Sequence, residues 1–261
     1  MFMNYKIVAS IITQSLSIII PAYNEEVRIE ENLIRIDDFL NQYAPNSEMI
    51  IVNDGSSDNT KQVVTCFKRT SRSPVSCLTH KNRGKGFSVN RGMLTSTSEL
   101  RLFTDADGST DIHETLKLYI ALQKFSADGS IGSRALPGSI IKSPQPFHRK
   151  ITGNTLRALT RNTILPGIRD TQCGFKMFTK EFSELVFPKQ TIDGFSFDLE
   201  ILYLAKLYHQ LVVEVPIVWE DQAGSKVDPV KESFRFIKTL GILLINRLQG
   251  QYSLTPPTPN T

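Results

Sequence analysis

Four short apolar runs, each followed at once by polar, acidic or glycine-rich residues, constrain the fold of this chain most strongly. They occupy residues 16–20, 49–52, 75–78 and 100–103. The stretches between them place apolar residues at helical spacing, as in Ile29, Leu33, Ile36 and Leu40. This alternation predicts an α/β fold in which a mostly parallel sheet carries helices on both faces. Ligands of such sheets bind beyond the carboxyl ends of the strands, so the polar turns are where a site is expected.

Composition excludes several classes of protein. The chain has 261 residues, of which 40% are hydrophobic and 21% charged, which fits a single globular domain and not a disordered or fibrous chain. A net charge of +4 suits a phosphate-bearing ligand but does not call for nucleic acid as a partner. The three cysteines lack metal-site spacing and are expected to be reduced thiols. Residues 1–20 are too short and too polar for a membrane anchor, and they lack a signal-peptide cleavage site.

Changes of pattern divide the chain into four parts. Residues 1–14 form an N-terminal segment, 15–220 the main domain, 221–249 a segment with an amphipathic helix, and 250–261 a proline-rich tail that is expected to be disordered. Helices are predicted at 61–69, 114–125, 150–161, 197–208 and 231–248, and a late strand at 212–219. The last helix has a broad apolar face beside a basic stripe, a pattern that suits either a membrane interface or packing on the sheet.

The sequence Asp105-Ala106-Asp107 directly follows the fourth apolar run. Two carboxylates two residues apart at a strand end can converge on a hard divalent cation and on the phosphates that it carries. The alternative is a solvated turn that caps the next helix. Thr110 and Leu116 stand where a calcium-binding EF-hand loop would need Gly and Glu, so that class of site is excluded.

Four motifs in a fixed order narrow the interpretation. They are residues 21–25 (PAYNE), 54–58 (DGSSD), 82–86 (NRGKG) and 105–107 (DAD), each after its own predicted strand. Together they resemble the family-2 glycosyltransferases, which have the GT-A nucleotide-sugar-binding fold. The resemblance continues through residues 132–134 (GSR), 170–176 (DTQCGFK), 197–200 (FDLE) and 224–226 (GSK). This longer series is similar to the branch that makes dolichyl- or polyprenyl-phosphate sugars, above all to dolichyl-phosphate glucose synthases, and covers about residues 15–248.

The resemblance implies which residues bind the donor. The nucleotide-binding candidates are Pro21, Ala22, Tyr23, Glu25, Asp54, Arg83, Lys85, Gly86 and Asp105. Chemistry supports these positions separately, because carboxylates accept hydrogen bonds from a pyrimidine base and its ribose, while Arg and Lys bind phosphate. The alternatives are ordinary packing for Tyr23, a helix start for Glu25 and a mobile basic loop for residues 82–86.

Further candidates concern the metal, the acceptor and catalysis. Asp107, with Asp105 beside it, is predicted to hold Mg²⁺ or Mn²⁺. The acceptor phosphate is assigned to Arg134, Arg149, Ser225 and Lys226, with surface solvation as the alternative for Arg149. The catalytic candidates are Asp105, Asp107, Arg134, Asp170 and Gln172. Asp198 is a weak candidate, since Asp198 and Glu200 point to different faces of a helix.

The function implied is inverting transfer of a hexose, with glucose favoured, from a UDP-sugar to a polyprenyl or dolichyl phosphate. We expect the enzyme to be cytoplasmic and peripheral at the cytoplasmic face of a membrane, with membrane-protein partners left open. Three alternatives remain at this point: transfer from GDP-mannose, a saccharide or protein hydroxyl as acceptor, and a catalytically silent nucleotide-sugar-binding subunit.

Overall fold

A computed structural model describes residues 12–142, 164–220 and 229–253. Its main sheet has seven strands in the order β3-β2-β1-β4-β7-β5-β8. They are β1 (Leu16–Ala22), β2 (Ser47–Asn53), β3 (Val75–Thr79), β4 (Leu100–Thr104), β5 (Gly129–Ser133), β7 (Phe175–Thr179) and β8 (Val212–Pro216). A separate two-stranded ribbon pairs β6 (Ile140–Ile141) with β9 (Val218–Trp219).

Helices cover both faces of the sheet. They are α1 (Ile29–Tyr43), α2 (Thr60–Phe67), α3 (Lys85–Thr95), α4 (Glu114–Phe125), α5 (Lys180–Val186), α6 (Phe197–Leu207) and α7 (Pro229–Leu248), with a 3₁₀ turn at Phe187–Lys189. None of the helices within the described ranges is long and apolar enough to cross a bilayer. The α/β class with a mostly parallel, helix-flanked sheet is confirmed.

The central strands are buried on both faces, which explains why their sequences are mostly apolar and do not alternate with polar residues. In β1, Ile18 and Ile20 belong to one hydrophobic core and Ile19 to the other. Leu33 of α1 packs in the first core, and Val89 of α3 in the second. The sheet therefore holds α1 and α3 on opposite faces. The amino-terminal ends of both helices lie near the carboxyl ends of β1 and β4.

One strand runs against the rest. β7 is antiparallel to both of its neighbours, β4 and β5. Its amino end therefore lies at the same edge as the carboxyl ends of the parallel strands. This reversal brings residues 170–174, which precede β7, to the edge where the residues after β4 and β5 also lie.

The helices and strands of the structure agree with the predicted elements in some places and differ in others. The helix at 114–125 matches α4, and the last helix begins two residues earlier than predicted. The predicted strand at 212–219 is two strands, because β8 pairs with β5 and β9 pairs with β6. The helix predicted at 150–161 lies outside the described residues. Residues 250–253 of the predicted disordered tail are described, and Tyr252 is buried.

Candidate functional site

The turn after β4 is held in one conformation by α1. The side-chain amide of the buried Asn32 donates to the carbonyl oxygens of Asp105 and Ala106, each at 3.2 Å. One carboxylate oxygen of Asp107 accepts from the backbone N–H of Ser109 at 2.9 Å. The two aspartates are therefore fixed by the scaffold before any ligand arrives, which favours precise placement of a cation or a phosphate.

A lysine from the opposite face meets this turn. Lys85 is the first residue of α3, and its ammonium lies 2.5 Å from Oδ1 of Asp105. Burial would lower the pKa of Lys85, but Asp105 and then Asp198 raise it above its ordinary value. Lys85 therefore stays protonated and supplies a fixed positive charge beside the aspartate pair.

Two glycines leave room for the close contacts around Lys85 and Asp105. Gly84 has φ +116°, and a Cβ there would lie 2.5 Å from the carbonyl oxygen of Asp193. A Cβ at Gly174 would overlap the carboxylate of Asp105. Any larger residue at Gly174 must displace that carboxylate or the start of β7, since real Cβ atoms do not approach so closely.

The electrostatics of the aspartate pair suit a cation. Burial, followed by the neighbouring charge of Asp105, raises the pKa of Asp107. A divalent ion would relieve both effects, and carboxylate oxygens are the ligands that Mg²⁺ and Mn²⁺ prefer. Within the described ranges, no group of three or more His, Cys, Asp or Glu side chains is arranged for metal binding. The two carboxylates suit such an ion by their chemistry, with further ligands to come from a substrate and from water.

Asp54 lies under the basic loop, defined here as residues 80–86. Its two carboxylate oxygens accept from the backbone N–H groups of Arg83 and Gly84, both at 2.8 Å. The ring Nδ1 of His80 is 3.3 Å from the same carboxylate. This buried carboxylate therefore holds the loop, and because each of its oxygens can accept a second hydrogen bond, the predicted contact with a nucleoside stays a prediction.

Arg83 is paired across the site. Its guanidinium donates to Oδ2 of Asp193 at 2.7 Å and 3.2 Å. It also lies 3.8 Å from the centre of the Phe87 ring, a cation–π geometry. The sequence analysis expected Arg83 to face a diphosphate and did not anticipate Asp193. A ligand phosphate would have to compete with this exposed ion pair.

The end of β1 forms the other side of the edge. Pro21 and Ala22 are buried, and Tyr23 is 45% exposed, so its ring is free to stack on a planar base. Glu25 binds Arg28 through both carboxylate oxygens at 2.9 Å, and its backbone N–H donates to Thr60. The Glu25 side chain therefore pairs with the residue just before α1, and its role in nucleotide binding stays a prediction.

Arg134 follows β5 and is fixed by Asp170. Its Nε donates to Oδ2 of Asp170 at 2.7 Å, its Nη2 to Oδ1 at 2.9 Å, and its backbone N–H also reaches Oδ2. Burial would lower the pKa of Arg134, but Asp170 raises it. The cation lies 5.5 Å from the Trp219 ring of the β6–β9 ribbon. Asp170 thus orients a permanent cation at the edge where Asp105 lies.

The remaining candidates differ in position. Gln172 is exposed next to this cluster, and Arg149, Ser225 and Lys226 lie outside the described residues. Burial raises the pKa of the Cys173 thiol to about 12, so this cysteine stays protonated and is no nucleophile.

The sequence patterns assigned no role to Lys176 or Glu200. Lys176 is fully buried, and its ammonium contacts both the carbonyl oxygen of Cys173 and the carboxylate of Asp198. A lysine inside an otherwise apolar strand, with an acidic pair on a later apolar helix, is a signal that could have indicated a buried ion pair.

The mostly parallel, helix-flanked sheet, with two aspartates after a central strand, matches the GT-A class of fold. A family model for "Glycosyl transferase family 2" matches residues 17–187. The chain belongs to this family and is a glycosyltransferase.

Its relatives narrow the class further. A Dictyostelium discoideum protein named dolichyl-phosphate beta-glucosyltransferase is 35% identical, covering 92% of this chain and 76% of the relative. Proteins of the same name from Saccharomyces cerevisiae and Homo sapiens are 34% and 31% identical, covering 91% and 93% of this chain and 76% and 78% of the relatives.

Solved structures agree on the fold. Glucosyl-3-phosphoglycerate synthase of Mycobacterium tuberculosis has a TM-score of 0.62 at 15% identity, with 90% of this chain and 80% of that chain covered. A mannosyltransferase from Pyrobaculum calidifontis, solved in complex with GDP-Man and Mn²⁺, has a TM-score of 0.61 at 18% identity, with 94% and 67% covered. At these identities the likeness concerns the fold.

Proposed function

We propose that this enzyme transfers glucose from UDP-glucose to a polyprenyl phosphate of the dolichyl type, with inversion to a β-linked product. The meeting of Lys85, Asp105 and Asp107 at one sheet edge carries the donor half of the proposal. The shared name of relatives that align with nine-tenths of the chain supports the acceptor and the sugar.

The donor diphosphate would lie against the turn after β4. Asp105 and Asp107 would hold Mg²⁺ or Mn²⁺. A bound ion of this kind would neutralise the charge on the departing nucleoside diphosphate. A neighbour solved with Mn²⁺ and UDP supports a divalent ion of this kind. Lys85 would add a permanent charge on the same phosphates, and its place at the start of α3 lets the helix dipole act in the same direction.

The acceptor phosphate would bind at Arg134. Asp170 binds Nε and Nη2 of Arg134 and leaves the guanidinium partly exposed, so its remaining N–H groups can donate to phosphate oxygens. A phosphate is already anionic near neutral pH, so no residue has to remove a proton to create the nucleophile. The protein's work is then to align the acceptor oxygen with the sugar and to stabilise the charge that leaves.

We also propose that the enzyme works at the cytoplasmic face of a membrane. Leu244, Ile245 and Leu248 are exposed along α7. An apolar stripe of this kind suits the interface of a bilayer in which the hydrocarbon tail of the acceptor is embedded. Flotation of the full-length chain with anionic lipid vesicles tests this, with Leu244→Ser and Leu248→Ser together expected to reduce binding.

The direct test is an acceptor and donor panel. Purified chain is incubated with radiolabelled UDP-glucose or GDP-mannose and a short polyprenyl phosphate, with and without Mg²⁺ or Mn²⁺. We expect label in a chloroform-soluble, mild-acid-labile product only with UDP-glucose and a cation, and none with Asp107→Ala. A product formed from GDP-mannose alone would overturn the choice of donor. A product formed equally by Asp107→Ala would overturn the metal assignment.

A further inference from the structure

A buried carboxylate outside the aspartate turn organises the segment that packs on the basic loop. Glu200 of α6 has no exposed surface. Its Oε2 accepts from the backbone N–H groups of Thr191 and Ile192 at 3.0 Å and 2.8 Å. Its Oε1 accepts from the Thr191 hydroxyl at 2.6 Å and from the Tyr252 hydroxyl at 2.7 Å. Four donors on one carboxylate fix the path of the chain at 190–194, called here the wall segment.

The wall segment packs directly on the basic loop. The Gln190 side-chain amide donates to the carbonyl oxygens of Gly86 and Ile192, each at 2.9 Å. The carbonyl oxygen of Asp193 accepts from the backbone N–H of Phe87 at 3.1 Å, and its carboxylate holds Arg83. Because these contacts flank Lys85 on both sides, movement of the wall segment would move the residue that faces Asp105.

Residues at the end of α7 and just after it complete the hydrogen-bond network around Glu200. The Tyr252 hydroxyl that donates to Glu200 also accepts from the side-chain amide of Asn246, on α7, at 3.0 Å. The same amide donates to the Thr191 hydroxyl at 3.0 Å. The backbone oxygen of Tyr252 accepts from Tyr208 at 2.9 Å. The end of α7 and the residues after it are thus hydrogen-bonded to Glu200 and to the wall segment, which packs on the basic loop.

We propose that Tyr252 and Glu200 are positioning residues for donor binding, through which the docking of α7 sets the affinity for a nucleoside diphosphate. This inference rests on the proposed function of the basic loop. When the Tyr252 hydroxyl is removed, Glu200 keeps its backbone donors but loses the tie to the chain end. The wall segment then samples more conformations, and the diphosphate must order it on binding. The loss therefore falls on donor affinity more than on acceptor binding.

The test compares Tyr252→Phe with Tyr119→Phe in the full-length chain. Tyr119 is partly buried on α4, packs against the other core and serves as the matched control. UDP affinity is measured by titration calorimetry with Mn²⁺, well below the melting temperature of each variant. We expect Tyr252→Phe to weaken UDP binding about fivefold or more, and Tyr119→Phe to leave it within about twofold of wild type. Amide exchange at 190–194 should speed up in Tyr252→Phe only.

A purely structural role gives a different result. If Tyr252→Phe lowers the melting temperature but leaves UDP affinity and amide exchange at 190–194 unchanged, the inference is wrong while the proposed function stands. If wild type itself fails to bind UDP with Mn²⁺, the proposed function fails and this inference fails with it. Asn246→Ala, which removes the two bonds nearer the surface, is the second variant and should weaken UDP binding in the same direction. An unchanged affinity there would also contradict the proposal.

Discussion

Asp37 of α1 offers a stability measurement whose size can be worked from the structure. Its side chain is 8% exposed and is surrounded by donors from the loop before β3. Oδ1 accepts from the backbone N–H of Ser73 at 2.9 Å and from the Ser71 hydroxyl at 3.1 Å. Oδ2 accepts from the backbone N–H of Arg72 at 3.2 Å. Burial alone would raise the pKa of Asp37, but hydrogen bonds from Ser73 and Arg72 lower it from 3.8 to about 2.

The contribution of Asp37 to the free energy of unfolding depends on pH because folding changes its pKa. A carboxylate whose pKa is lowered by folding stabilises the folded state above its unfolded pKa, and this contribution disappears as the pH falls from about 4 towards 2. Each pKa unit corresponds to about 1.4 kcal/mol, so the ionised Asp37 contributes roughly 2 kcal/mol at neutral pH. Asp37→Asn should therefore lower the free energy of unfolding by about that amount at pH 7.

The assay is urea unfolding of wild type and Asp37→Asn at pH values from 7 down to 3. Taking the difference between the two proteins cancels the titration of every other carboxylate. We expect the difference to shrink steadily below pH 4. Asp38→Asn is the matched control, since the neighbouring Asp38 is exposed and should lose far less. A difference that stays constant from pH 7 to pH 3 would refute the reasoning.

Three further predictions concern the site. Lys85→Ala should lower kcat/KM for the donor by about 10²–10³, with partial recovery in Lys85→Arg, as measured by initial rates. Gly174→Ala should impair donor turnover severely while circular dichroism stays native, because the new methyl group displaces the Asp105 carboxylate; full activity would contradict the close approach seen here. Asp170→Asn should raise KM for the acceptor phosphate more than KM for UDP-glucose, because the Arg134 guanidinium loses the carboxylate that orients it; the reverse order would show that Arg134 serves the donor.

The sequence predicted the parts of this molecule that depend on local patterns. The aspartate pair after β4 was predictable because an apolar run and a polar turn are adjacent in the chain. The helix predicted at 114–125 is α4, with the same bounds. These features need no knowledge of distant residues.

The rest depends on contacts between residues far apart in sequence. Asp54 was predicted from its motif to bind the nucleotide, but its backbone partners Arg83 and Gly84 lie 29 and 30 positions further along the chain and could not be read from that motif. The Arg83–Asp193 pair spans 110 positions, and the approach of Gly174 to Asp105 depends on the reversed direction of β7. A sequence pattern gives residue types at these positions but not their partners.

Tyr252 shows the same limit at the end of the chain. It precedes a run of prolines, and that composition predicted disorder from residue 250 onward. Tyr252 is instead buried in the second hydrophobic core, where its hydroxyl bonds Glu200 and Asn246 and its backbone oxygen accepts from Tyr208. Glu200 could be seen as an acidic residue in an apolar helix, but its four donors come from two other segments.

The central claim is that Asp105, Asp107 and Lys85 together hold a nucleoside diphosphate through a divalent ion. The most direct measurement is the affinity of UDP for wild type and Asp107→Asn, by titration calorimetry, with Mn²⁺ and with a chelator. The account predicts tight binding by wild type only when Mn²⁺ is present, and loss of that binding in Asp107→Asn. Equal UDP affinity with the chelator, or in Asp107→Asn, would contradict it.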